Sequence, residues 1–369
     1  MAMPIRRPIF GALLLLTGGA AAALVWTGLE PPAVHGPAAA GPAALPDEQV
    51  FSFLAVGDTG DLLPWRPFGE GQRSVARGLV AEDRRLPVEA LVLLGDNFYP
   101  DGLQRFQLVE RIRHNLVIPF CHFAAAGAPR WPEVKDGCPI AKSERHTVPI
   151  LAVLGNHDYN TEESPRLQRE EMPRFVSNWN VHPGIADVGE LGRGISLVRA
   201  DSEAIQQAGT AEPVREALEH SRGRWRILAV HRPIALREGE TPKPDSFKGL
   251  MRRALAGTRR PPQLVLSGHD HNLQVVPTNF GAPALQVIAG SGSSRRRFKQ
   301  PPYADRAFGV ETTGFARIDL LGHGKDQGLL VSLYTMPRYP IHAWREPRLV
   351  SRWWVETNGA AGRVYPPKS

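Results

Sequence analysis

Cysteine is nearly absent from this sequence: Cys121 and Cys138 are the only two in 369 residues. Neither stands in a CxxC or comparable spacing, which excludes iron–sulfur clusters and thiolate zinc ribbons. They sit in a stretch rich in Ala, Pro and Gly, where a disulfide closing an insertion is expected. No internal repeat is present. The formal charge of +7 and pI near 9.7 suit polyanionic partners or an anionic membrane surface. The basic residues are nevertheless scattered, apart from Arg252-Arg253, Arg259-Arg260 and Arg295-Arg296-Arg297 with Lys299. No nucleic-acid motif with interleaved aromatics accompanies them, so no specific nucleic-acid partner is expected.

A hydrophobic fraction of 42% is ample for a large core. Arg6 and Arg7 precede residues 8–29, which carry no charge. A basic flank before an apolar run is the pattern of a secretory signal peptide or an uncleaved signal anchor, and either directs the rest of the chain out of the cytoplasm. The expected location is periplasmic or extracellular, with membrane anchoring by residues 1–30 if the leader is kept. Residues 31–49, mostly Pro, Ala and Gly, read as a linker that does not pack. Residues 50–340 form the expected domain, with an insertion at about 121–147, and residues 341–369 read as a basic tail without an assignable role.

What is present in quantity is a series of apolar runs that end in chemistry. Residues 51–56 lead into Gly57-Asp58-Thr59-Gly60, and residues 90–94 lead into Gly95-Asp96-Asn97-Phe98-Tyr99. Residues 149–154 precede Gly155-Asn156-His157-Asp158, residues 226–230 precede His231-Arg232, and residues 263–267 precede Gly268-His269-Asp270-His271. Each run reads as a buried strand. Residues 72–82 have helical apolar spacing between the first two strands, which predicts a parallel pair with Asp58 and Asp96 at the same sheet edge. From residue 283 on, runs at 285–289, 314–320 and 328–334 suggest a second sheet packed against the first. The other histidines (His35, His114, His122, His146, His182, His220, His323 and His342) stand in no motif and are read as ordinary structural residues.

Two carboxylates brought together need a proton or a cation between them. A donor set of oxygen and imidazole without thiolate suits two first-row cations. Asp96, with two oxygens, is the natural bridge; Tyr99, as a hard phenolate, would favour a trivalent ion. Two-metal sites lower the pKa of water and polarise phosphoryl groups, so hydrolysis of phosphate esters with water as nucleophile is the expected reaction.

These five ordered blocks resemble the calcineurin-like metallophosphoesterases, in the form of the purple acid phosphatase branch. Asp58 followed by Thr-Gly, and the presence of Tyr99, mark that branch. The resemblance implies an α/β fold, a four-layer α/β/β/α sandwich of two mixed sheets with a di-metal site at the carboxyl ends of strands. It implies Fe(3+) held by Asp58, Tyr99, His271 and bridging Asp96. It further implies a divalent metal, Fe(2+), Zn(2+) or Mn(2+), held by Asn156, His231, His269 and Asp96. His157 resembles the family's phosphate-contacting histidine and candidate proton donor. Arg232 stands where many relatives carry a second His; it could clamp a phosphate oxygen but cannot serve as a general acid. The implied activity is hydrolysis of phosphate monoesters by a metal-bound hydroxide, as in acid phosphatases. The alternatives are a phosphodiesterase on the same scaffold or a non-catalytic polyanion-binding protein.

Overall fold

The computed structural model describes residues 32–60, 70–138, 140–336 and 346–365. The expected leader at residues 1–30 lies outside the described residues. Among those described, no helix is long and apolar enough to cross a membrane.

Strand residues alternate between two faces, and both faces of the central strands here are apolar. On the strand Gln49–Val56, Leu54 and Val56 pack with Val75 and Leu79 of the helix Glu70–Arg85. Phe53 and Ala55 face the other way, toward Leu197, Ile227 and Leu266 of a different sheet. Apolar runs without alternation therefore mean burial on both sides, and the fold is a sandwich of two sheets with helices outside. A third apolar cluster lies between the second sheet and the helices Ser202–Ala208, Glu212–His220 and Phe247–Ala256.

Among the described residues each sheet has eight strands. The first runs Ala361–Arg363, Arg348–Val355, Gly328–Met336, Thr313–Leu321, Gln49–Val56, Ala90–Leu94, Ile150–Val153, Trp179–Val181 from edge to edge, its last four strands parallel. The second runs Val34–His35, Phe308–Val310, Leu273–Asn279, Pro283–Ala289, Leu264–Ser267, Trp225–Val230, Ile195–Ala200, Ala186–Gly192, and the parallel strands are the four from Pro283–Ala289 to Ile195–Ala200. The predicted parallel pair is present, with Phe53 opposite Ala90 and Val56 opposite Leu93.

Three sequence expectations need correction. The strands after residue 283 do not build the second sheet on their own. Pro283–Ala289 joins it, whereas Thr313–Leu321 pairs antiparallel with Gln49–Val56 and brings Gly328–Met336 into the first. The strands bearing His231 and His269 belong to the second sheet instead. Residues 31–49 are also no free tether: Val34–His35 pairs with Phe308–Val310, and Ala40 bridges to Arg363. Extended backbone with small side chains can bond to a sheet edge through its amides alone, as Gly36 N does to Ala307 O. The stretch set apart as a basic tail contains the strands Arg348–Val355 and Ala361–Arg363, and Trp353 is buried between the sheets. The Cys121–Cys138 disulfide is formed, with Cα atoms 5.1 Å apart.

Candidate metal centre

Five loops leave the carboxyl ends of five parallel strands, three from the first sheet and two from the second, and meet. Asp58 follows Gln49–Val56, Asp96 follows Ala90–Leu94, and Asn156 and His157 follow Ile150–Val153. His231 follows Trp225–Val230, while His269 and His271 follow Leu264–Ser267. Asp58, Asp96 and His269 adopt positive φ angles of 59°, 54° and 69°. This left-handed conformation costs about 1–3 kcal/mol per non-glycine residue and is kept only where surroundings enforce it. Here the Asp58 amide donates to Gly95 O at 2.9 Å and the His269 amide to Asp58 Oδ2 at 2.7 Å. Glycine at position 95 is required by proximity as well as by its φ of 88°, because a Cβ would lie 2.7 Å from His231 Nδ1.

The side-chain atoms fall into two sets of four. In the first, the Tyr99 hydroxyl lies 2.9 Å from Asp58 Oδ1, 2.7 Å from Asp96 Oδ2 and 3.0 Å from His271 Nε2. His271 Nε2 is also 3.2 Å from Asp58 Oδ1. In the second, His231 Nε2 lies 3.4 Å from Asp96 Oδ1 and 3.3 Å from Asn156 Oδ1, and His269 Nδ1 is 3.0 Å from the same Asn156 oxygen. Asp96 contributes one oxygen to each set. All seven residues named from the sequence are thus brought together.

The protons in this cluster are too few for its acceptors. His231 Nδ1 donates to Leu94 O at 2.9 Å, so Nε2 faces two acceptor oxygens and needs either a second proton or a cation between them. Ser294 Oγ, 2.7 Å from Nδ1, fixes the orientation of the His271 ring. One hydroxyl proton on Tyr99 cannot serve two carboxylates at once. A cation at each set resolves these conflicts, and a donor set of carboxylate, phenol, amide oxygen and imidazole fits first-row metals.

Electrostatics agree. Burial lowers the basicity of His231, but the Asp96 carboxylate more than reverses this and lifts its pKa to about 9. Burial raises the Asp96 carboxyl, yet His231, Tyr99 and the His157 amide together hold it well below the ordinary range. Burial, followed by the Asp58 and Asp96 charges, pushes the Tyr99 phenol well above its usual value. The cluster by itself therefore holds negative charge that suits a cation. Burial, then the charges of His231 and Arg232, lowers His269 to about 2, so its imidazole is neutral and able to ligate.

His157 lies against the Tyr99 ring, centroids 4.4 Å apart, and its Nδ1 donates to Pro100 O at 2.6 Å. That tautomer puts the ring's lone pair on Nε2. Arg232 is at the rim: Glu203 holds its Nε at 2.6 Å, and its Nη1 lies 3.4 Å from His269 Nε2. The basic loop at residues 293–299 approaches too, through Ser294, through the Arg296 amide bonded to His271 O, and through Lys299, paired with Asp270 at 2.6 Å. Beside His269 is a cleft of about 430 Å³ lined by Arg232, Arg237, Lys248, Lys299, Glu203 and Asp270.

Sequence reasoning missed Asp158, which anchors two of the loops. It accepts from the Asn97 and Phe98 amides at 3.1 Å, the Gly155 amide at 2.9 Å and Gln168 Nε2 at 2.9 Å. Burial and the neighbouring Asp96 charge raise it to about 7 despite those bonds. Its signal was weak, an acid in a motif already read for its neighbours. Ser294 and Glu203, which orient His271 and Arg232, carried no sequence signal.

Residues 51–273 match the model of the calcineurin-like phosphoesterase family. No curated protein matches the chain. Among solved structures it is similar to Plasmodium GAP50, described as the anchor in the inner membrane complex, at 15% identity and TM-score 0.53, covering 82% of this chain and 90% of that one. It is similar to purple acid phosphatase PPD1 from yellow lupin seeds at 14% identity and TM-score 0.55, covering 87% of this chain but 55% of that one. It is similar to PhoD at 10% identity and TM-score 0.55, covering 88% and 73%. Likeness at such identity is a likeness of fold.

Proposed function

The chain belongs to the calcineurin-like phosphoesterase family, and from that premise we propose that it is an exported di-metal phosphomonoesterase of the purple acid phosphatase kind. The observation that carries this reading is the division of eight donor atoms into two sets joined by the two oxygens of Asp96.

Asp58, Tyr99, His271 and Asp96 Oδ2 would hold ferric iron; Asn156, His231, His269 and Asp96 Oδ1 would hold iron(II), zinc or manganese. Bound there, the pair supplies a water of lowered pKa and a Lewis acid for the phosphoryl oxygen. The chain's own residues do the rest. His157, with Nδ1 fixed on Pro100 O, offers Nε2 to the leaving oxygen as a proton donor. Arg232, held by Glu203, turns its remaining nitrogen toward the His269 side of the centre, where it can meet a phosphate oxygen. The cleft beside His269 would receive the alcohol portion of the ester. Export is supported by the basic and apolar leader pattern and by the formed disulfide, which is typical of oxidising compartments.

The test is metal analysis of the purified protein together with hydrolysis of a mono- and a diester sharing one leaving group. A faster monoester, with two metals per chain, supports the reading. A faster diester makes the chain a phosphodiesterase, and metal without turnover on either makes it a binding protein. Tyr99→Phe should abolish any visible charge-transfer band while the protein remains folded; an unchanged spectrum removes tyrosinate from the ferric site. His157→Ala should retain both metals but slow esters of poor leaving groups by roughly 10²–10⁴-fold. Equal losses for good and poor leaving groups would contradict its role as a proton donor.

A further inference from the structure

Away from the centre, three side chains from separate segments converge. Asp83 lies in the last turn of the helix Glu70–Arg85, His122 stands two residues after the helical turn Ile118–Phe120, and His146 precedes the strand Ile150–Val153. His122 Nε2 is 2.7 Å from Asp83 Oδ2, and His146 Nδ1 is 2.9 Å from Asp83 Oδ1 and 3.1 Å from Oδ2. One ligand atom from each of the three can be chosen with all within 4.8 Å of one another. We propose that Asp83, His122 and His146 form a separate site for a single divalent cation of the zinc class, with water completing its coordination.

The charge requirement comes first. A carboxylate in the last turn of a 16-residue helix sits at the negative end of the helix dipole, where a cation is favoured. The Asp83 side chain is only 3% exposed, so its charge is compensated within the protein. One imidazolium would suffice for that, yet two rings point nitrogens at the same carboxylate. His146 does so although its side chain is 43% exposed and could have faced water.

Chemistry and shape agree with this. Two imidazoles and a carboxylate with an open fourth position are a zinc donor set. Bonds of about 2.0–2.1 Å in a tetrahedron place ligand atoms roughly 3.3 Å apart, so each histidine needs to draw back from Asp83 by only a few tenths of an ångström, and the two ring nitrogens lie within 4.8 Å of one another. The accessible face of His146 gives the ion and its water a way in. The site would have a structural task. His122 and His146 stand at the two ends of the insertion, the Cys121–Cys138 disulfide closes its first part, and a cation on Asp83 would fasten both ends to the helix. The strand that follows delivers Asn156 and His157.

The experiment is zinc content per full-length chain, measured after loading with Zn²⁺ and gel filtration. Wild type is compared with His146→Ala and Asp83→Asn. Each variant should carry one equivalent less than wild type, retain phosphoesterase activity, and show a smaller rise in Tm on adding zinc. In an Asp96→Asn background the single remaining equivalent should vanish with His146→Ala. The comparison counts a difference, so it stands whatever the main centre holds. Equal zinc in wild type and His146→Ala would overturn the proposal and leave Asp83 as a hydrogen-bonded carboxylate. Should Asp83→Asn fail to fold, His146→Ala still decides, because a partly exposed side chain is removed with little structural effect.

Discussion

Asp96→Asn is expected to leave a folded protein with neither of the main-centre cations and with phosphoesterase activity reduced by more than about 10³-fold. Asp96 Oδ2 accepts from Tyr99 at 2.7 Å, while Oδ1 accepts from the His157 amide at 2.9 Å and faces His231 at 3.4 Å. An amide can present oxygen to one set only. To the other it turns an NH₂ group, which repels a cation and has no lone pair to give. In either orientation the charge shared by both sets is lost. Far-UV circular dichroism should be unchanged, since Asp96 is a loop residue after the strand Ala90–Leu94. Metal analysis decides: a variant holding its full complement would show that Asp96 does not join the two sets.

Gly155→Ala is expected to have an effect nearly as large without removing any ligand. A Cβ at position 155 would fall on Asp96 Oδ1 and on the Asp96 amide, well inside van der Waals contact. Neither neighbour can give way easily, because Asp96 already occupies a left-handed conformation and Oδ1 is fixed by the His157 amide. The carboxylate must move, and a displacement of about 1 Å in such a site costs on the order of 10²-fold in rate. Gly127→Ala is the control, since its Cβ would meet nothing nearer than Ser177 Oγ at 3.5 Å. Activity measured at saturating metal should fall for Gly155→Ala and hold for Gly127→Ala. Equal activities would show that the loop is not packed as tightly as described.

Much of this site was legible in the sequence because of one regularity. A buried parallel strand is an unbroken apolar run, and the first polar residues after it, past a closing glycine in four of the five, stand at the sheet edge. Asp58, Asp96, Asn156, His231 and His269 could be found that way. The sheet to which each strand belongs could not. Leu264–Ser267 and Thr313–Leu321 are both buried throughout, and nothing in their composition says that the first joins Trp225–Val230 while the second joins Gln49–Val56. Long-range pairing decides this, and local pattern does not carry it. Edge strands were hidden for the opposite reason: Val34–His35 and Ala361–Arg363 are held by backbone bonds that any sequence can make. Asp158, Ser294 and Glu203 act by aiming other residues, and a residue that aims another needs no motif of its own.

The most direct measurement is anomalous diffraction from crystals of the metal-loaded protein, recorded at the absorption edge of each bound metal. The account predicts two peaks astride Asp96, one against Asp58, Tyr99 and His271 and the other against Asn156, His231 and His269. A single peak, or two that do not share the Asp96 carboxylate, would contradict it.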